Sequence, residues 1–265
     1  MKKSVNLYFN NTADSAKKLE AIKQLGYDEF YTGIYDKPET LTFAEQIEYA
    51  KKLGLKSSMV HCSYYEPRLN NFWLDNEQGE EVLKSYLEQI KLCKGVAKNF
   101  VVHLNGSKES IVSEVGLRRI KALLAECEKY DINLCIENLY SAQEIPYIFK
   151  NIKHKNLKIC YDIGHQNFLT PNFDVMKEYG QYVTVLHLHD YDGVKDLHNI
   201  VGTGTVNWQH FAKQMASRND LVLCSEVKQH DDSRFFDFLA KNLNALRVLE
   251  ALITKNRSVN EDRNA

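Results

Sequence analysis

Several common protein classes are excluded by what this 265-residue sequence does not contain. No stretch approaches the ~20 consecutive apolar residues that a membrane span requires, and the apolar run behind Lys2 and Lys3 is too short for a secretory signal. Neither sign of charge is in excess: 34 Lys and Arg face 35 Asp and Glu, for a formal net charge of −1. That balance gives no bulk attraction to nucleic acid. The six cysteines include no C-x-x-C pair, and Cys135, Cys160 and Cys224 stand inside apolar, strand-like runs. They read as small buried hydrophobes of a cytoplasmic protein, and a disulfide framework is not expected. No glycine-rich fingerprint follows the first apolar run, where "NNTADS" stands. There is no interior linker and no low-complexity segment. Only 254–265, "TKNRSVNEDRNA", is polar without an apolar period, so residues 1–254 are expected to form one domain and 255–265 a flexible tail.

What the chain does contain is alternation. Strand-like runs occur at 4–9, 29–34, 56–61, 99–104, 132–138, 157–162, 183–189 and 221–226. Amphipathic segments lie between them: Ala16, Leu19, Ile22 and Leu25 recur at steps of three, and Gly26 then stops the helix. Eight such β/α units predict an α/β fold, with a single (β/α)8 TIM barrel favoured over an open doubly wound sheet.

The informative feature is where the ionisable residues fall. Run three ends at His61, run four at His103, run five at Glu137, run six at Asp162 with His165 a turn later. Run seven ends in His187, His189 and Asp190 and is followed by Asp196 and His198. Run eight ends at Glu226, with Lys228 beyond. In a β/α barrel all strand C-termini share one face, and active sites sit there. A single histidine at a strand end is commonly a hydrogen-bonded structural residue. Ligand types at six successive strand ends are another matter, because imidazole and carboxylate in one dry cleft are costly unless paired or bound to metal. This donor set suits Zn, Mn, Fe or Co; among thiols only Cys62 is a candidate.

Together "IENL", "YDIGH", "LHLHD", "DLHNIVGTG" and the closing "SE" resemble the xylose-isomerase-like TIM barrel superfamily, which includes sugar phosphate isomerases and epimerases and relatives of endonuclease IV. For a sugar epimerase the resemblance implies one divalent ion (Zn, Mn, Mg, Co or Fe) on Glu137, Asp162, His187 and Glu226, with Glu137 and Glu226 also moving the proton. For an endonuclease IV relative it implies up to three ions, adding His61, His103, His165, Asp196 and His198. Glu144 matches only loosely the acidic residue that ketose epimerases carry after the strand-five glutamate.

Two chemistries therefore compete. An isomerase or epimerase of a small sugar or sugar derivative, phosphorylated or not, removes a proton beside a carbonyl and stabilises the enediolate with the ion. Candidate substrate contacts are His165, Lys228, Tyr64, Arg68 and Trp73. A zinc phosphodiesterase acting on abasic DNA would clamp a phosphate, yet the mouth loops carry little basic charge and 62–73 offers only Arg68. The small-molecule enzyme is preferred, with nucleic acid and a non-catalytic sugar-binding barrel as alternatives. Gly202 and Gly204 offer either a phosphate-binding turn or a plain loop-to-helix turn capped by Asn207. No membrane partner is expected, and a homodimer is the general prior for such enzymes.

Overall fold

The computed structural model describes residues 1–10, 13–34, 41–63, 68–107, 111–230 and 234–264, with side chains through Ser258. Eight parallel strands form the centre: β1 (Lys3–Val5), β2 (Glu29–Gly33), β3 (Lys56–His61), β4 (Asn99–Val102), β5 (Asn133–Glu137), β6 (Leu157–Asp162), β7 (Val183–His187) and β8 (Leu223–Ser225). Each overlaps one of the apolar runs. β2 to β7 pair in sequence order as one six-stranded sheet, and β1 pairs with β8. Single parallel bridges, Asn6 with Tyr31 and Leu188 with Ser225, join the two sheets on either side. The side chain of Asn6 strengthens one seam, donating to Val227 O at 2.9 Å and accepting from Val227 N at 3.1 Å. The result is a (β/α)8 barrel whose ladders are continuous from β2 to β7 and thin at the two seams.

Strand alternation sorts the residues. On β6, Ile159 and Tyr161 pack outward with the main core, whereas Cys160 and Asp162 face the lumen. The lumen is filled by Tyr31, Met59, Val101, Cys135, Cys160, Val185 and Cys224 from seven strands, with Tyr8 packed against them. All six cysteines are buried and free, as expected from their apolar settings.

Around the barrel lie α1 (Ser15–Leu25), α2 (Phe43–Lys52), α3 (Glu77–Leu92), α4 (Glu114–Lys129), α5 (Glu144–Asn151), α6 (Ile163–Leu169), α7 (Val175–Tyr179), α8 (Trp208–Met215) and α9 (Phe235–Asn264). Their ends follow local chemistry. Gly26 closes α1 in the left-handed conformation at φ 86°, and the Asn207 side chain accepts from His210 N at the start of α8. The polar segment 254–265, expected as a frayed tail, instead continues α9 to Asn264. Arg257 ties that extension back to the body, donating to Ala216 O and Arg218 O. No helix among the described residues is long and apolar enough to cross a membrane.

Candidate functional site

The six strand ends bring their ligand-type residues to one mouth. Glu137 is buried at its centre: Oε2 lies 2.9 Å from His103 Nε2, 3.3 Å from His61 Nε2 and 3.3 Å from His187 Nδ1, while Oε1 lies 3.1 Å from His165 Nδ1. Glu226 Oε2 lies 2.9 Å from the same His187 Nδ1. Asp162 Oδ2 lies 3.8 Å from His187 Nδ1 and 3.5 Å from His165 Nδ1. Asp196, on the loop after β7, sits between His165 Nε2 and His198 Nε2, 3.3 Å from each. All nine positions marked by the resemblance therefore converge.

Local structure explains how. Asp162 ends β6 and also caps α6, accepting from His165 N at 2.7 Å, which sets His165 one turn on and facing the same cleft. Asn138 clamps the ends of β5 and β6 together, donating to Asp162 O at 2.7 Å and accepting from Asp162 N at 2.8 Å. Asp190 is wholly buried and organises the long loop. Its carboxylate accepts from Tyr191 N, Gly202 N, Val206 N and the Trp208 indole. Asp190 thus engages the Gly202 and Val206 amides, and Ile200 O and Tyr191 O take those of Thr203 and Thr205, which supports the plain-turn reading of this segment over the phosphate reading. An extra Cβ on Gly204 would come 2.0 Å from Tyr191 O, which explains the glycine there. His198 adopts φ 51°, uncommon for a residue other than glycine, and its Nδ1–H donates to Glu226 O at 3.1 Å.

The electrostatics follow from burial and proximity. Burial opposes charge on Glu137 and Glu226, yet the facing histidines, His187 foremost, hold both carboxyls well below the usual range. Burial likewise opposes a proton on His165 and His187. For His165 the adjacent Asp162 and for His187 the Glu226 and Glu137 carboxylates overcome it and raise both well above the ordinary imidazole value. His103 and His198 go the other way, lowered chiefly by burial.

A divalent cation fits this donor set. Glu137 Oε1, His165 Nδ1, both ring nitrogens of His187, His189 Nδ1 and Asp196 Oδ1 are buried without an aligned hydrogen bond, although opposite donors lie 3–4 Å away. One cation would satisfy such atoms together, since they crowd without bonding one another. The ligand atoms of Glu137, Asp162, His187 and Glu226 all lie within 4.8 Å of one another. The same holds for His61, His103 and Glu137, and for His165, His189, Asp196 and His198.

Some expected residues stand elsewhere. Trp73 is 1% exposed, donates to Leu104 O at 2.8 Å and packs over Gly116, so it belongs to the core and offers no surface to a ligand. Arg68 is exposed and pairs with Glu81 of α3 at 3.4 Å. Lys228 is exposed at the rim, its backbone N–H donating to His198 O. Tyr64 lies outside the described residues. Glu144 is buried at the start of α5, with burial pushing its pKa up to about 8 beside Asn105, and it joins none of the ligand groups. Cys62 turns toward Tyr86. The thiol that joins a ligand group is Cys160, with Glu137 and His187, and burial keeps it protonated.

Three participants were not singled out as site residues from sequence. His189 donates to Asp162 from Nε2 at about 3.0 Å and stacks on His198 at 4.1 Å. Tyr8 donates to Glu226 Oε1 at 2.6 Å, and Tyr31 stacks on His187 at 5.5 Å and 12°. Strand alternation from His187 puts His189 at the cleft or rim; nothing local marks the tyrosines.

Fold and site together define a (β/α)8 barrel with a histidine–carboxylate centre at the C-terminal mouth. The family model described as xylose isomerase-like TIM barrel matches residues 19–252, and the chain belongs to that family. A 158-residue segment is 25% identical to an uncharacterised protein of Sinorhizobium fredii, covering 54% of this chain and 50% of that one. A 112-residue segment is 30% identical to an uncharacterised protein of Methanocaldococcus jannaschii, covering 40% and 43%. The chain thus spans about half the length of the curated relatives it matches. Among solved structures, an L-ribulose 3-epimerase superposes with a TM-score of 0.80 at 12% identity, covering 100% of this chain and 99% of that one. D-Psicose 3-epimerase from Clostridium cellulolyticum H10, with D-tagatose, gives 0.69 at 17%, covering 99% and 97%. The 3-keto-D-glucoside 4-epimerase of E. coli gives 0.69 at 15%, covering 95% and 100%. At these identities the likeness is one of fold.

Proposed function

We propose that the protein is a divalent-metal-dependent isomerase or epimerase of a small sugar or sugar derivative. The observation that carries this reading is the approach of two carboxylates, Glu137 and Glu226, to one imidazole nitrogen of His187 from strands five and eight, at 3.3 and 2.9 Å. Asp162 completes the set, and the epimerase folds named above agree with it. A divalent ion on these four residues supplies a Lewis acid for adjacent substrate oxygens, offsetting the negative charge that develops when a proton leaves the neighbouring carbon. Glu137 and Glu226 are the proton-moving pair. Tyr8 holds Glu226 Oε1 and leaves Oε2 turned into the cleft. Tyr31 and His61 flank the His187 ring on either face at 5.5 and 5.6 Å and fix its plane.

The second reading is a zinc phosphodiesterase acting on abasic DNA, favoured by the nine converging ligand positions. Against it, Arg68 is occupied by Glu81 and the amides near Gly202 by Asp190. Protein purified without added metal should be analysed for bound ions and incubated in deuterated buffer with a panel of ketoses and ketose phosphates. Incorporation of deuterium beside the carbonyl supports the proposal. Efficient nicking of an abasic duplex with no deuterium incorporation sinks it.

A further inference from the structure

We infer that Asn6 and Asn138 are positioning residues, two copies of one device that fixes carboxylates of the mouth where main-chain pairing stops. Along β1 and β8 the last paired residues are Val5 and Ser225; along β5 and β6 they are Glu137 and Cys160. One residue beyond each pair stands an asparagine, Asn6 on the first and Asn138 on the second. Its side chain grips the residue two beyond the pair on the neighbouring strand, Val227 for Asn6 and Asp162 for Asn138. The offset is the same at both places, although β1 and β5 stand on opposite sides of the ring of strands.

An asparagine amide carries an acceptor oxygen and N–H donors in one plane, so it can stand in for a peptide unit. Both side chains are used in that way. Asn6 Nδ2 donates to Val227 O at 2.9 Å, and its Oδ1 accepts from Val227 N at 3.1 Å. Asn138 Nδ2 donates to Asp162 O at 2.7 Å, and its Oδ1 accepts from Asp162 N at 2.8 Å. Both asparagines are buried, as are Val227 and Asp162. An apolar side chain at either position would leave a buried N–H and a buried carbonyl without these partners.

The residues so held carry the chemistry. Asp162 is gripped directly, while its carboxylate caps α6 and faces His187. Glu226 is bracketed: Ser225 O accepts from Asn6 N at 3.1 Å on one side of it, and the Asn6 side chain holds Val227 on the other. From the β7 side, Glu226 N donates to Leu188 O at 3.1 Å. Since β8 has only three residues, its pairing with β1 stops short of Glu226, and the amide of Asn6 carries the connection past it. The two side chains thus keep the carboxylate carriers in place beyond the last paired residues. This positioning role rests on the metal-dependent function proposed above; the hydrogen-bonded staples do not.

The test compares Asn6→Ala and Asn138→Ala with Asn156→Ala in the full chain. Asn156 is also buried and donates to Ile132 O at 2.7 Å, but at the opposite ends of β5 and β6. Chelator-stripped protein is titrated with Co²⁺, and amide hydrogen exchange is followed by NMR in the metal-free state. Both mouth variants should bind Co²⁺ about 10–100-fold more weakly than wild type, whereas Asn156→Ala should bind it as wild type does, whatever stability it loses. Exchange should accelerate at Val227 in Asn6→Ala and at Asp162 in Asn138→Ala. Asn6→Asp and Asn138→Asp, which keep the size and the acceptor, replace any alanine variant that does not fold and should lose affinity in the same direction. Wild-type Co²⁺ affinity in either mouth variant, or an equal loss in Asn156→Ala, overturns the positioning role. Unchanged exchange at Val227 and Asp162 overturns the staples. A wild type that takes up no Co²⁺ overturns the metal-dependent function and the positioning role together, and the exchange rates still decide the staples.

Discussion

Replacing Gly164 with alanine sets two known effects against each other. On α6, exchange of glycine for alanine gains up to about 1 kcal/mol of helix propensity. The new Cβ, however, would stand 2.1 Å from His189 Cε1 and 2.5 Å from both ring nitrogens. That ring cannot swing aside: Asp162 holds Nε2 at 3.0 Å, His198 stacks on one face at 4.1 Å, and His165 meets it edge-on at 5.5 Å. Overpacking a fully buried position costs about 1–3 kcal/mol, and the upper end applies because the obstacle is a pinned ring. The net loss is about 2 kcal/mol, or roughly 4–8 °C in Tm for a domain of this size. Gly180→Ala is the control, since its Cβ would meet only Met176 Cε at an ordinary 3.5 Å and should leave Tm level or slightly raised. Thermal unfolding followed by circular dichroism reads both. A Gly164→Ala variant as stable as wild type would refute the packing argument, and with it the claim that this glycine makes room for His189.

Glu226→Gln should abolish deuterium incorporation while leaving the circular dichroism spectrum unchanged; wild-type turnover would show that other residues carry the chemistry. Tyr8→Phe removes the hydroxyl that holds Glu226 Oε1 and should weaken ion binding or turnover by about 10–100-fold, with unchanged ion affinity and turnover counting against a positioning role. Asp190→Ala strands the Trp208 indole and the amides of Tyr191, Gly202 and Val206, so protease cleavage within 191–206 should accelerate; equal cleavage rates would refute the clasp. In metal-free protein the lowered pKa values of Glu137 and Glu226 give stability that is present above about pH 4.5 and lost as pH falls through their folded values. The raised values of His165 and His187 give stability present below about pH 6.5 and lost as pH rises through their folded values. Urea midpoints should therefore peak between these limits, and a flat profile from pH 5 to 9 would contradict the arrangement.

The barrel was legible because each strand overlaps an apolar run of six or seven residues, and amphipathic helical segments separate one from the next. The mouth was legible because period-two alternation sends the terminal residues of parallel strands to one face, so His61, His103, Glu137, Asp162, His187 and Glu226 could be collected without a long-range contact. What escaped was set by partners distant in sequence. Trp73 looked like a loop aromatic until Gly116 was seen to leave a slot beneath it. Arg68 was claimed by Glu81, and the tail became helix because Arg257 found carbonyls at Ala216 and Arg218. Tyr8 and Tyr31 sit in apolar strands where a tyrosine reads as packing. His189 could be placed near the cleft by alternation, but its partners Asp162 and His198 could not be read from spacing.

The thin seams of the barrel have a consequence for the order of assembly. Glu226 follows β8 and Tyr8 follows β1, and these two strands pair with each other while joining the six-stranded sheet only through single bridges. Glu137, Asp162, His187, His61 and His103 all ride on the continuous sheet. The five ligand-type residues of the continuous sheet can thus come together before the ring closes, whereas Glu226 and Tyr8 enter the mouth as a pair from β8 and β1, as the last stave of the cask.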